Sequence, residues 1–187
     1  MRFAIQIVGW FAAMVVLMSI IEHQIHCKLM HKSPRFPWLR GLEARKKIFT
    51  SHAVKHHGQY REHFHGTPLP AGEDRGIRLD LFEGLLQAVP VCVCLACVSF
   101  MAAAIFPLVV CLHHLIWNQI HLEMHQPQGR FFASWAAYRF VARHHFLHHR
   151  HPDKNFNVAL PVGDWIFRTV AIVTDADRRA MEAEGIC

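Results

Sequence analysis

Charge is what this chain has least of. Charged side chains make up 18% of its 187 residues, against about 25% in an ordinary soluble domain. That shortfall argues against a surface solvated on every side. Tyrosine is nearly absent, with 2 residues. A disulfide framework is missing as well, although there are 6 cysteines. Cys92, Cys94, Cys97 and Cys111 lie inside one apolar stretch, and Cys27 and Cys187 stand far from it. The CxCxxC run has Val, Leu, Ala and Pro for neighbours, with no turn chemistry to fold a thiolate cage. These cysteines therefore read as small free thiols packed between helices. No internal repeat and no low-complexity segment is present. The formal charge of +6 comes without a dense basic stripe interleaved with exposed aromatics, so no nucleic-acid partner is expected. The basic residues flank apolar runs instead, where a membrane surface is the better partner.

What the chain does have is 52% hydrophobic residues and 17 histidines. Its length suits one domain, residues 1–187. Phe3 to Ile21 is apolar apart from Gln6, Gly9 and Ser19, about the length that crosses a hydrocarbon core. A cleaved signal peptide fits poorly, because Arg2 is the only basic residue ahead of it and no small-x-small site precedes Glu22. Leu81 to Trp117 would be about 55 Å long as one straight helix and must fold back on itself. Pro107 and the small Ala102, Ala103 and Ala104 mark the expected bend. The reading is an all-α integral membrane bundle of about three spans, near 3–21, 82–101 and 104–122, with interfacial helices carrying the histidines.

Orientation follows from the basic residues. Eleven Lys and Arg lie between Glu22 and Asp80, including Lys28, Lys32, Arg35, Arg40, Arg45, Lys46 and Lys47, and eight more follow Trp117. The positive-inside rule then places the amino terminus outside and the histidine-bearing segments in the cytoplasm. Phe131 to Val141 is too short to span and reads as an interfacial helix leading into the last histidine cluster. Val158 to Val173 is expected to pack against the membrane face, and Asp175 to Cys187 reads as a polar tail.

The histidines fall in four clusters: His23, His26 and His31; His52, His56 and His57; His121 and His125; and His144, His145, His148 and His149. Residues three and four apart share a helix face, so each helix offers two imidazoles to a common point. His26 and His31 share a face only if the helix ends or bends between them. His114, Asn118, His121 and His125 step by 4, 3 and 4 and form one polar stripe that must face the bundle interior. Imidazole-only sites suit iron, copper, nickel or zinc, and about ten well-placed rings exceed the four that a single structural zinc takes. Two ions are the economical count. His113 is expected to pack or line a channel. His63, His65 and His151 stand between outer support and solvent, His23 competes with its neighbours, and His144 precedes the true cluster.

The pattern resembles the fatty acid hydroxylase / sterol desaturase superfamily of membrane di-iron enzymes, which also includes carotenoid hydroxylases. The resemblance is carried by His145-x-x-His148-His149-x-x-Pro152-x-x-Asn155-Phe156 and by Asp164-Trp165-x-Phe167-x-Thr169. His26-x-x-x-x-His31 and His121-x-x-x-His125 resemble two further boxes of that family. Two departures stand out. His52-x-x-x-His56-His57 is one residue longer than the usual HxxHH, and Arg168 stands where the family has glycine.

The resemblance implies two iron ions held by His26, His31, His52, His56, His57, His121, His125, His145, His148 and His149, with no catalytic residue beyond the metal centre. His114 and Asn118 from the stripe, with Asn155 and Asp164 from the motif, would position the ligands. It further implies O2-dependent hydroxylation of a lipid-like substrate, a fatty acyl chain, sterol or isoprenoid, fed by electrons from a separate ferredoxin or cytochrome-type protein. Desaturation on the same site is the nearest alternative. A bis-histidine haem electron carrier and a metal transporter are alternatives from other classes.

Overall fold

Nothing between Arg2 and Ile25 breaks a helix, since the segment contains no proline and a single glycine, Gly9. It forms α1, Arg2–Ile25. The computed structural model describes residues 1–32, 43–66 and 78–186. Of the residues read from the sequence, Arg35, Arg40 and Cys187 lie outside these. Among the described residues every regular element is helical. α1 runs on into a π-helical turn, π1 (His26–Met30), which closes with His31 N–H donating to the His26 carbonyl at 3.2 Å. Next come α2 (Glu43–Phe49), a second π-helical segment π2 (Thr50–His56) and the short α3 (His57–Gln59). The remaining helices are α4 (Leu81–Ala96), α5 (Phe100–His125), α6 (Ala136–Arg150), α7 (Val162–Phe167) and α8 (Asp175–Ala183).

Among the described residues two helical stretches, Arg2–Met30 and Phe100–His125, are long and apolar enough to cross a membrane, and Leu81–Ala96 is a shorter apolar helix. The expected bend at Pro107, with spans 82–101 and 104–122, is corrected. The chain reverses at Cys97–Ser99, and Pro107 lies inside α5. The Ser99 side chain sets the start of α5 by accepting the Ala102 N–H at 3.4 Å, which satisfies one of the orphan donors of a first turn. Pro107 removes only one backbone bond, a loss that helices with packed neighbours tolerate.

Two further expectations change. Phe131–Ser134 is a turn, and the helix that follows, α6, runs unbroken through the whole last histidine cluster. The supposed polar tail forms α8, opened by a capping box between Thr174 and Asp177. It buries Met181, with Ile186 just beyond, and Asp177 accepts from Arg150 Nε at 2.6 Å. Of its apolar residues, Ala180 and Met181 face the core. Residues 158–173 include α7, which packs against α1.

Among the described residues the interior has two main parts and a small third one of Tyr60 and Leu122. Met14, Met18, Ala88, Ile105, Phe106 and Val109 join α1, α4 and α5. Phe64, Trp117, Met124, Phe146, Val158 and Met181 join the lower half of α5 to α6, α8 and the loop after α6. The histidines lie at that second, polar end. All five described cysteines are free thiols, with Cys94 and Cys97 on the outside of the fold.

Candidate metal centre

Backbone geometry decides which rings meet. A π-helical turn advances by i to i+5 hydrogen bonds, so π1 brings His26 and His31 round to the same side. In π2 the same widening brings His52 round to His57, five residues on, and thereby absorbs the extra residue in that run. On α5 and α6 the ordinary four-residue spacing stacks His121 over His125 and His145 over His149.

The result is two groups of converging imidazoles. His26, His31, His52, His57 and His148 form the first, and His56, His125, His145 and His149 the second. Within each group the ligand atoms lie within 4.8 Å of one another. The doublets His56-His57 and His148-His149 each send one ring to either group, because adjacent helical residues diverge in direction. The groups are therefore neighbours: the His57 and His149 rings stack with centroids 4.4 Å apart.

The nitrogen atoms cannot all be satisfied by protons. His125 Nδ1–H donates to the Phe64 carbonyl at 2.9 Å, which leaves a lone pair on Nε2 of the neutral ring. That Nε2 is 3.1 Å from His145 Nε2, which is also 3.0 Å from His121 Nε2 and 3.2 Å from His149 Nε2. One proton can serve only one of these three contacts. In the first group His148 Nδ1–H donates to the Lys154 carbonyl at 2.7 Å and His26 Nδ1–H to that of Phe156. Their Nε2 atoms face those of His31 at 3.0 Å and His52 at 2.8 Å. His57 Nε2 and, on the side away from the converging Nε2 atoms, the buried Nδ1 of His56, His145 and His149 lack any hydrogen-bond partner.

Lone pairs converging in two places are what a cation resolves. Metal–imidazole bonds of about 2.0–2.1 Å put opposite nitrogens roughly 4 Å apart, so the donors present fit. The carbonyl bonds on the far nitrogens of His26, His125 and His148 are the kind of support that orients metal-binding imidazoles.

Electrostatics keep the rings ready to bind. Burial pushes His31 down to about 3, helped by His57, and alone pushes His57 down to about 4. His52, His56, His145, His148 and His149 are held well below the usual imidazole range by burial first and by neighbouring imidazoles second. All seven are neutral at pH 7 and present lone pairs, the form a metal requires.

Two buried carboxylates hold the supporting loop. Asp164, fully buried, accepts from Phe156 N at 2.8 Å, Asn157 N at 2.7 Å and Thr169 Oγ1 at 2.6 Å, and it faces His144 Nε2 at 2.9 Å. Because the Phe156 carbonyl receives His26 Nδ1–H, Asp164 reaches the first group through one peptide. Glu22 accepts from Trp117 Nε1 at 3.0 Å, Val158 N at 2.8 Å and Asn157 Nδ2 at 2.9 Å. Asn155, with φ 53, donates from Nδ2 to the His144 carbonyl and accepts from Ala171 N. Asparagine tolerates that left-handed backbone. Arg168 adopts φ 55 just past α7, a place where glycine is free of strain.

Of the ten expected ligands, nine fall in the two groups, and His121 borders the second through His145. The upper part of the expected stripe goes elsewhere. His114 Nδ1–H bonds back to the Val110 carbonyl at 2.9 Å and its ring lies on Gly84. Asn118 clamps Leu79, accepting from its N–H at 2.7 Å and donating to its carbonyl at 3.0 Å. His114 packs α5 on α4 and Asn118 fixes the segment before α4; neither touches the converging rings. His144 and His23 turn to the Asp164 side: His23 Nε2 is 2.9 Å from Thr169 Oγ1. His65 Nδ1–H donates to the Met124 carbonyl at 2.7 Å, and His151 reaches Asp177 at 3.2 Å. His63, 81% exposed along its side chain, approaches Glu184 at 3.5 Å.

Three contributors escaped the sequence reading. A charged residue ending an apolar run is a functional signal by default, and Glu22 carried it. Asn157 had no signal beyond its place beside Phe156. Tyr60, which stacks on His125 at 4.1 Å, had none. No family model, curated protein or solved structure matches this chain.

Proposed function

We propose that the chain is an integral membrane di-iron oxygenase that hydroxylates a C–H bond of a lipid-like substrate. The observation that carries this reading is the pair of adjoining imidazole groups, with neutral rings and with the far nitrogens of His26, His125 and His148 bonded to carbonyls. The donor type suits several transition metals; iron follows from the histidine-box resemblance. When bound, the two irons supply O2 activation and C–H oxidation. The overall change takes R–H, O2, two electrons and two protons to R–OH and water, and the electrons come from a separate ferredoxin or cytochrome-type protein.

The protein's own part is to hold ten rings in place and keep the substrate end dry. An apolar cavity of about 180 Å³ between α1, α4 and α5 has His26 on its wall beside Met18, Phe106 and Trp117. It brings the first histidine group to the lipid side. Exposed Phe3, Val8, Phe82, Val93, Leu108 and Leu115 form the kind of apolar surface that lipid covers. We read α4 as a third, short crossing, with the histidines on the cytoplasmic side and the amino terminus outside. A haem reading is disfavoured because each group already crowds four or five imidazole donors within 4.8 Å, leaving no plane for a macrocycle between two of them.

The test is metal analysis of the purified protein followed by incubation with host lipids, a reductant and 18O2. About two iron ions per chain and a product carrying one 18O atom are expected. A product that has lost two hydrogens without gaining oxygen would reject hydroxylation in favour of desaturation. A strong Soret band, or retention of less than one ion, would reject the di-iron centre.

A further inference from the structure

The polar end of the fold carries an apolar surface that the described residues leave uncovered. α7 begins beside the last turn of the apolar run of α1: Gly163 N–H donates to Ser19 Oγ at 3.1 Å, and Ser19 Oγ–H donates to the Leu160 carbonyl. That is the level at which a span leaves the hydrocarbon core. From there Trp165, Ile166, Phe167, Val170 and Ile172 are all exposed, Ile172 with 88% of its surface. The surface continues onto α6. Phe140 is exposed and stacks on His144, and His144 Nε2 meets Asp164, the residue before Trp165, at 2.9 Å. A contiguous apolar patch of this kind marks a contact site.

The exposed charges beside it have one sign. Arg139 and Arg143 on α6 and Arg168 just past α7 are all exposed. Between residues 127 and 174 the only carboxylates are Asp153 and Asp164. Asp164 is fully buried, and Asp153 lies beyond the far end of α6. Among the described residues the arginines that pair with carboxylates are Arg130, Arg150 and Arg178, so these three stay unmatched within the fold. Arg139 uses one nitrogen on the Ser134 carbonyl at 2.9 Å. Arg168 holds φ 55, a backbone that glycine adopts freely and a long side chain does not. An acidic protein would suit the charges alone. Anionic lipid suits the charges and the tryptophan and isoleucine side chains at membrane level together.

We propose that this face is a seat for anionic lipid in the leaflet on the histidine side. Its apolar side chains enter the acyl region, and Arg139, Arg143 and Arg168 meet the phosphate groups of the surrounding lipids. The seat adjoins the first histidine group through Asp164, which accepts from Phe156 N at 2.8 Å, while the Phe156 carbonyl receives His26 Nδ1–H. The lipid here is a neighbour and not a substrate. The inference goes beyond the oxygenase reading and does not depend on it, because a chain without metal can hold the same lipid.

Trp165 reports on the seat. The full chain is reconstituted in nanodiscs of an equal mixture of phosphatidylcholine and phosphatidylglycerol, with bromine on the acyl chains of one lipid or of the other. Quenching of Trp165 fluorescence, isolated by difference from Trp165→Phe, measures which lipid lies beside it. One basic residue at a membrane surface enriches an anionic lipid about fivefold, so phosphatidylglycerol is expected to be over-represented there by at least about that factor. Arg139→Gln, Arg143→Gln and Arg168→Gln together should bring the two lipids to parity, whereas lysine at the same three positions keeps most of the preference. Equal quenching by the two lipids in the wild-type chain overturns the proposal, as does a preference that survives the glutamine variant. Where that variant does not fold, salt decides: high salt should abolish the preference in the wild-type and lysine chains, and a preference indifferent to salt overturns the proposal. A wild-type chain that is dimeric by light scattering and shows no lipid preference would assign the face to a second copy and overturn it as well.

Discussion

The two histidine groups are built from the same residue type and differ in what holds them. The second rests on the ends of two long helices, with His125, His145 and His149 on α5 and α6, and Tyr60 stacked against it. The first takes His26, His31, His52 and His57 from two π-helical segments and their flanks, and only His148 from a regular α-helix. Its orientation comes from carbonyls of a loop that is fixed in turn by Asp164, Asn155 and Glu22. His31 and His57 are partly open to solvent, whereas only His149 is so in the second group. A centre can thus be half scaffold and half strap. The rigid half sets position, and the strapped half faces the apolar cavity between α1, α4 and α5 through His26.

The sharpest way to break this comparison is to remove one ring from each half. His145 Nε2 lies within 3.2 Å of three other ring nitrogens, so His145→Ala should lower metal content to about one ion per chain and cut product formation by 10²-fold or more. His52→Ala should spare the ion of the second group. Metal analysis of both variants checks this, and equal loss from both would erase the distinction. A smaller effect is expected from Asp164→Ala, which leaves Phe156 N, Asn157 N and His144 without their acceptor. Metal affinity of the first group should fall about 10–100-fold while that of the second changes little, as read by competition with a chelator.

The smallest effect is on pH. Unfolded imidazoles take up protons near 6.5, whereas folded His31 and His57 do so only near about 3 and about 4. The unfolded state therefore binds more protons below 6.5, and stability falls as the pH drops from 6.5 toward 4. Thermal unfolding of metal-depleted protein should show a midpoint that declines across that window and is level above pH 7. A midpoint that rises on acidification would mean the rings are not buried as neutral species.

The helical clusters on α5 and α6 were legible because their spacing matches the helix period, and the same arithmetic left the first group half-readable. His26 and His31 are five apart, and His52 is one residue out of step for HxxHH. Only a widened turn reconciles both spacings, and no residue propensity announces one. The reversal at Cys97–Ser99 was misplaced because Pro107 is the louder signal, while a single serine hydroxyl decides the helix start. α8 was hidden by its composition, in which two core-facing apolar residues are outvoted by charges. His114 and Asn118 show the limit of a stripe on one helix. Periodicity gives their direction, but Gly84 and Leu79 on other segments decide what they touch.

The neighbouring histidines at 56–57 and 148–149 have a mechanical consequence. Each pair divides its rings between the groups, so turning either segment about its axis withdraws a ring from both at once. A rotation of either segment is therefore felt by both groups together, whereas removal of one ring or of Asp164 acts on a single group.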